Sequence, residues 1–159
     1  MIRLQDQIEI RTTPEQIWSW LDDLPQVYQS WHPDHVDCRM LHGSLLTVDS
    51  EVECQEYLHG KLHTLRFRMT KVIPNKRVEY VVDGLGHGAF ETQTSKGGWV
   101  HFVAELDIGS DTPIIGWTVD NIFQWFFNAR LESMRQHMRE EGQNLKAILE
   151  AKAFLEVTA

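Results

Sequence analysis

The last third of the chain narrows the fold more than any other feature. From about residue 113 to 154, apolar residues recur at helical spacing through Phe123, Phe127, Leu131, Met134, Met138, Leu145 and Leu149. At roughly 100° per residue they form one continuous stripe, and a helix of that length must lay its stripe along an extended apolar surface. Glu141 falls inside the stripe, between Met134, Met138 and Leu145, and His137 stands one turn earlier on its edge. A carboxylate isolated in an apolar interior is costly unless it is paired, protonated or bound to a metal. Whatever surface the helix covers has to answer Glu141.

The rest of the chain supplies that surface as strands. Ile2, Leu4, Ile8 and Ile10 alternate with polar neighbours over residues 2 to 11, which predicts a strand with a defect near Asp6. Thr13-Pro14 with Gln16 at capping-box distance starts a short helix through Ile17, Trp18, Leu21 and Leu24. Pro25 interrupts it, and Val27, Tyr28 and Trp31 form a second short helix ending at His32-Pro33. Strands are then expected over 36–41, 46–58, 62–72, 77–82, 89–94 and 99–108, with a hairpin at His59-Gly60-Lys61. The segment from Gly84 to Gly88 reads as a mobile flap. Asp111-Thr112-Pro113 caps the long helix. No linker, repeat or low-complexity tract divides residues 1–159, so one domain is expected.

Composition excludes several classes of partner. The formal charge of −8 and the absence of any Lys/Arg run argue against nucleic acid and against an anionic membrane surface. No stretch approaches the ~20 apolar residues of a membrane span. Cys38 and Cys54 form no metal or redox motif; a disulfide between them is open, but two reduced, buried thiols in a cytoplasmic protein is the simpler reading. Oligomeric state is not fixed, and a homodimer stays open. Six Trp and seven Phe suit either a large core or an apolar cavity.

The run Ile8-Glu9-Ile10-Arg11-Thr12-Thr13-Pro14-Glu15-Gln16-Ile17-Trp18, with the long terminal helix, resembles the START-like superfamily. That superfamily, also called SRPBCC or helix-grip, includes the birch-pollen allergen and the polyketide cyclases. The resemblance implies an α+β helix-grip fold: a curved antiparallel sheet of about seven strands wrapped around the C-terminal helix, with two short helices after the first strand. It also implies an apolar ligand held between sheet and helix. Chemistry does not follow from fold.

A narrower resemblance concerns the polar residues. The group similar to diacetylphloroglucinol hydrolase holds zinc with a His after the short helices, a Glu on a strand and a His-x-x-x-Glu pair on the long helix. His137 and Glu141 match that pair, and at i,i+4 they face the same way. Strand alternation turns Val52, Cys54, Glu56 and Leu58 to one face and sends Glu51 and Glu53 to solvent, so Glu56 is the strand candidate. Cys54 on the same face is a softer substitute. His35 is preferred to His32 as the fourth ligand, with His32 or Asp34 as the group that orients its ring. A water-filled cavity, or a salt bridge from Arg130 to Glu141, is the chief metal-free alternative.

The resemblance then implies a metal-dependent hydrolase, with Zn2+ or another divalent transition metal. It would cleave a carbon–carbon bond next to a carbonyl in an acyl-aromatic or polyketide-like molecule. His63 is the expected proton carrier, and Phe67, Met69, Phe123, Phe127, Arg130, Met134 and Met138 are the expected cavity lining. A metal-free carrier or sensor of hydrophobic molecules, or a polyketide cyclase, is the alternative.

Overall fold

A computed structural model describes the backbone of residues 1–109 and 113–158 and the side chains of residues 1–109 and 131–153. The chain runs β1 (Ile2–Ile10), α1 (Pro14–Asp22), α2 (Leu24–Trp31), β2 (His35–His42), β3 (Glu51–Leu58), β4 (Lys61–Ile73), β5 (Arg77–Val82), β6 (Gly86–Ser95), β7 (Trp99–Ile108) and α3 (Pro113–Thr158). The strands form one antiparallel sheet in the order β1-β7-β6-β5-β4-β3-β2. β1 and β2 are consecutive in sequence yet occupy opposite edges of that sheet. α1 and α2 make the crossing between them, and this is the α+β helix-grip architecture expected from the sequence.

Local chemistry accounts for most boundaries. The Thr13 hydroxyl accepts from the Gln16 amide while the Gln16 side chain accepts from the Thr13 amide, closing the capping box that starts α1. Pro25 does not break a helix as expected. The break comes at Asp23, and Pro25 lies in the first turn of α2, where a missing N–H costs nothing. Strand alternation sends Val78, Tyr80 and Val82 of β5 inward.

Three further expectations are corrected. The register of β1 against β7 runs without a shift from Ile2↔Ile108 to Ile10↔Val100, so Asp6 is not a defect. Asp6 faces inward beneath α3 at Gly142, where a Cβ would come 3.1 Å from its Oδ2. Residues 46–50 are turns rather than strand, and β3 begins at Glu51. Gly86–Gly88 belong to β6 and pair with β5 and β7, which leaves no flap there.

The core lies between the concave face of the sheet and the helices. Ile10, Ile17, Trp18, Leu21, Phe102 and Leu145 are among its most buried members. Leu4, Ile108 and Leu131 form a second cluster, with Met134 and Met138 packed against it. The C-terminal end of α2 is fastened to α3. Trp31 Nε1 donates to the Glu141 carbonyl at 2.9 Å, and Asn144 Nδ2 donates to the Trp31 carbonyl at 2.9 Å. No described helix is long and apolar enough to cross a membrane.

Leu145 is fully buried on α3. Leu145→Ala is expected to lower unfolding free energy by about 2–5 kcal/mol in a urea titration. A loss under ~1 kcal/mol would show that α3 is not held on the sheet at this point.

Candidate functional site

The space between sheet and α3 is a partly open cavity of about 130 Å³. Most of its wall is apolar, including Phe67 and Met69 of β4, Val82 of β5, Phe90 of β6 and Met134 and Met138 of α3. Its polar lining is concentrated in Tyr28, Glu56, His137 and Glu141. His35, whose side chain is fully buried, stands immediately behind them.

Each group arrives by a simple local route. Tyr28 and Trp31 follow Leu24 at i+4 and i+7 on the inward face of α2. His32 ends that helix, and its carbonyl accepts from the His35 amide at 3.1 Å, a tight turn that swings His35 into the edge of the sheet. Glu56 lies opposite His35 in the register of β3 with β2. His137 and Glu141 stand one turn apart on α3.

The sequence-derived quartet His35, Glu56, His137 and Glu141 is brought together. His35 Nε2 lies 3.1 Å from Glu141 Oε1 and 3.6 Å from Glu56 Oε2. His137 Nε2 lies 3.7 Å from the same Glu141 oxygen. The tautomer of His35 follows from its other nitrogen, since Nδ1 is 3.0 Å from the Tyr28 carbonyl and must carry the proton. Its Nε2 is then a bare lone pair facing two carboxyl groups. His35 Nε2 and His137 Nε2 are both buried without a hydrogen-bond partner.

His32 is differently engaged. Its Nδ1 accepts from the Asp34 amide at 3.1 Å, so its Nε2 donates to Glu140 at 3.0 Å. Ring nitrogens of His32, His35 and His137 can be chosen that all lie within 4.8 Å of one another. Only His35 and His137 have a nitrogen to spare. Sequence reasoning weighed His32 against His35, and the hydrogen bonds separate their parts.

Tyr28 is the residue that sequence reasoning missed. Its hydroxyl donates to Glu56 Oε2 at 2.6 Å, its carbonyl fixes His35, and its ring stacks on the His35 ring at 3.9 Å with 4° between planes. One side chain thereby orients two members of the cluster. The available signal was a polar-tipped aromatic on the buried face of an amphipathic helix.

Burial dominates the electrostatics. It pushes the Glu141 carboxyl up to about 8, only weakly opposed by His32. The 18 % of the Glu141 side chain still accessible opens into the cavity it lines. Burial also raises Glu56, with Glu141 adding to the effect, while the Tyr28 hydrogen bond opposes it. His137 is driven down to about 3 by burial and by the adjacent His32 and His35. His35 is lowered by burial, against the pull of Glu56. At neutral pH the cluster is two neutral imidazoles beside a protonated Glu141.

Other expected residues stand elsewhere. His63 faces Glu56 in the register but is exposed and is not part of the cavity wall, so the proton carrier expected there is corrected. β4 extends beyond the cavity at that end. Glu53 was expected in solvent; it is buried beneath Arg39 and Arg66, whose hydrogen bonds hold its carboxyl below the usual range. Cys54 does line the cavity, but it is a free thiol donating to Cys38 Sγ at 3.3 Å. That bond and burial raise its pKa, which suits it poorly to act as a thiolate ligand. The side chains of Phe123, Phe127 and Arg130 lie outside the described residues, and the expected Arg130–Glu141 pair with them.

The shifts set a pH dependence. Glu141 holds its proton up to about 8 in the folded chain but only to 4.5 when unfolded, so its contribution to stability is lost as pH rises between these values. His137 moves oppositely, from 6.5 unfolded to about 3 folded, and its contribution is lost as pH falls through that range. Thermal melts of EDTA-treated protein are expected to show a decline between pH 6.5 and 8, above the range in which His137 adds stability, that Glu141→Gln lessens and the raised Glu56 partly retains. A variant that keeps the full alkaline decline would refute the protonated Glu141.

Comparison with known proteins agrees with this architecture. No curated protein matches the sequence. Among solved structures, a protein from Thermus thermophilus superimposes with a TM-score of 0.69 at 13% identity, covering 95% of this chain and 99% of its own. A START superfamily protein from Mycobacterium smegmatis gives 0.57 at 14% identity, over 85% and 95% of the two chains. The di-domain ARO/CYC BexL from the BE-7585A biosynthetic pathway gives 0.56 at 9% identity, over 86% of this chain and 46% of that one. At such identities these likenesses establish the fold alone. The sequence model for polyketide cyclase / dehydrase and lipid transport proteins matches residues 1–150, and the chain belongs to that family, within the START-like, helix-grip superfamily.

Proposed function

We propose that this chain binds a hydrophobic, carbonyl-bearing small molecule in the cavity and acts on it at the histidine–carboxylate end, with a divalent metal held by His35, Glu56, His137 and Glu141. The observation that carries the metal is the pair of orphaned imidazole nitrogens. A single proton on Glu141 can satisfy His35 Nε2 at 3.1 Å, but it leaves His137 Nε2, 3.7 Å from the same oxygen, unanswered. One cation answers both nitrogens and both carboxylates. The three separations His35–Glu141, His35–Glu56 and His137–Glu141, 3.1–3.7 Å, are near the roughly 3.3 Å expected between ligand atoms of a tetrahedral site with ~2.0–2.1 Å bonds. Among the described residues only His32, His35 and His137 already have ligand atoms all within 4.8 Å of one another, so the quartet has to draw in to hold a cation. The donor set of two imidazoles and two carboxylates suits zinc and neighbouring divalent ions.

Bound there, a divalent cation supplies polarisation of a carbonyl and a water of lowered pKa. The chain's own residues do the rest. The apolar walls take the body of the ligand and exclude bulk water. Tyr28 keeps Glu56 and His35 in place, while Glu141 gives up its proton when a cation arrives. The reaction in this reading is hydrolysis of a carbon–carbon bond beside the carbonyl. The hydroxyl of water goes to the acyl carbon and its proton to the departing carbon.

A second reading is favoured by the family itself, whose description names polyketide cyclases and lipid transport. In that form no metal enters. Glu141 donates its proton to a ligand carbonyl, and His137 Nε2 accepts one from an acidic carbon, which is the proton traffic of a cyclisation. A chain that binds the molecule without changing it is the limiting case.

Metal analysis separates the readings. The first expects one zinc equivalent per chain, or its uptake with proton release at pH 7 because Glu141 starts protonated. His137→Ala and Glu141→Ala are expected to abolish uptake, and Tyr28→Phe to weaken it about 10- to 100-fold. Protein that neither retains nor takes up zinc, cobalt or manganese in calorimetry would leave the metal-free reading in its place.

A further inference from the structure

The two cysteines of this chain face each other. Cys38 on β2 and Cys54 on β3 are direct partners in the antiparallel register, and both are buried, free thiols. Their sulfurs stand 3.3 Å apart. A disulfide needs about 2.05 Å between sulfurs and roughly 3.5–4.5 Å between Cβ atoms, and cross-strand partners already hold their Cβ atoms near 4.5–5.5 Å. Closing the bond therefore takes a movement on the order of 1 Å. Packing alone is served by any small apolar side chain at either position, whereas bond formation needs both cysteines at one register position.

The two sulfurs differ in access. Cys54 lines the cavity, and Cys38 does not. The wall beside Cys54 is apolar, with Val52 on its own strand and Leu65 and Phe67 on β4. A route through that space admits small apolar molecules and excludes large charged ones. Burial and the Cys38 bond hold the Cys54 proton on, so its sulfur is a slow nucleophile. The second thiol is already in place, which makes any later step intramolecular. The strand it belongs to also carries His35. β2 is an edge of the sheet, and its register against β3 shifts between His35 and Asp37 and again between Met40 and His42. Regular pairing is confined to the four residues between those shifts, with Cys38 among them.

We infer that Cys38 and Cys54 form an oxidation site reached through the cavity, at which a small apolar hydroperoxide closes a cross-strand disulfide that pins β2, and His35 with it, to β3. The inference rests on the shape of the cavity and not on any metal. The Cys54 sulfur attacks the terminal oxygen of the hydroperoxide. The O–O bond breaks, the alkoxide leaves with the thiol proton as an alcohol, and Cys54 becomes a sulfenic acid. The Cys38 sulfur then attacks the Cys54 sulfur. The S–S bond forms, the S–O bond breaks, and the hydroxyl departs with the Cys38 proton as water. Two thiols lose two electrons in total, and one hydroperoxide is reduced to alcohol and water.

The test treats the full chain with tert-butyl hydroperoxide or with oxidised glutathione and follows intact mass over hours. The hydroperoxide is expected to remove about 2 Da, two hydrogens, with no adduct, while oxidised glutathione leaves the chain unchanged. The oxidised chain should unfold at a urea concentration about 1–2 M higher, the shift expected for closing a loop of this size. In Cys38→Ser the reaction is expected to stop at a sulfenic acid on Cys54 that dimedone traps, and in Cys54→Ser the remaining Cys38 should stay reduced. No loss of mass in wild type, or equal oxidation by glutathione disulfide, overturns the site. So does dimedone labelling of Cys38 in Cys54→Ser at the rate seen for Cys54, or a disulfide that leaves the urea midpoint unchanged or lower. The wild-type measurements decide the matter even where a serine variant fails to fold.

Discussion

Everything at the polar end of this molecule follows from placing Glu141 where it cannot easily ionise. The helical stripe that buries α3 would be complete with an aliphatic residue at that position. The carboxyl group instead stands 3.1 Å from a bare imidazole nitrogen and near a second one. Burying polar groups in this way is tolerated only when each finds a complement. Among the described residues, no proton donor answers His35 Nε2 and His137 Nε2, and the proposed function rests on that.

The fold makes that concentration feasible by tying down its surroundings first. Trp31 and Asn144 join α2 to α3 at Glu141 and one turn beyond it, and the two bonds run in opposite directions between side chain and backbone. Tyr28, a turn earlier, holds Glu56 and His35. His32 caps the helix end and reaches Glu140. Hydrogen-bonded neighbours thus stand around the two nitrogens that are not bonded, and groups so held keep their geometry when a ligand arrives.

The overall architecture was legible in the chain because its signals are periodic. The seven strands, the two short helices and the long helix each repeat a pattern over several residues, and their order left few ways to pack. His137 and Glu141 were legible for the same reason, since four residues on a helix fix a shared direction. Glu56 followed from alternation on β3. Less was visible where position depends on a partner. Asp6 resembles a flaw in β1 until Gly142 is seen above it. Pro25 stops or starts a helix depending on where the preceding turn ends. Glu53 looks solvent-facing until two arginines from neighbouring strands cover it. His63 fell on the cavity-facing parity of β4, but parity does not tell where a cavity ends. The division between His32 and His35 lay in hydrogen bonds to backbone groups that no residue pattern encodes.

The order of the chain also decides when this site exists during synthesis. Its groups come from residues 28–35, from Glu56 and from residues 137–141, and the sheet edge formed by β1 has its partner only once β7 has been made. Until α3 emerges, the concave face of the sheet is an open trough of Val, Leu, Phe and Met side chains. A nascent chain halted there displays a long aggregation-prone surface, so ribosomal pausing between β7 and α3 would be more hazardous for this protein than the same pause earlier on.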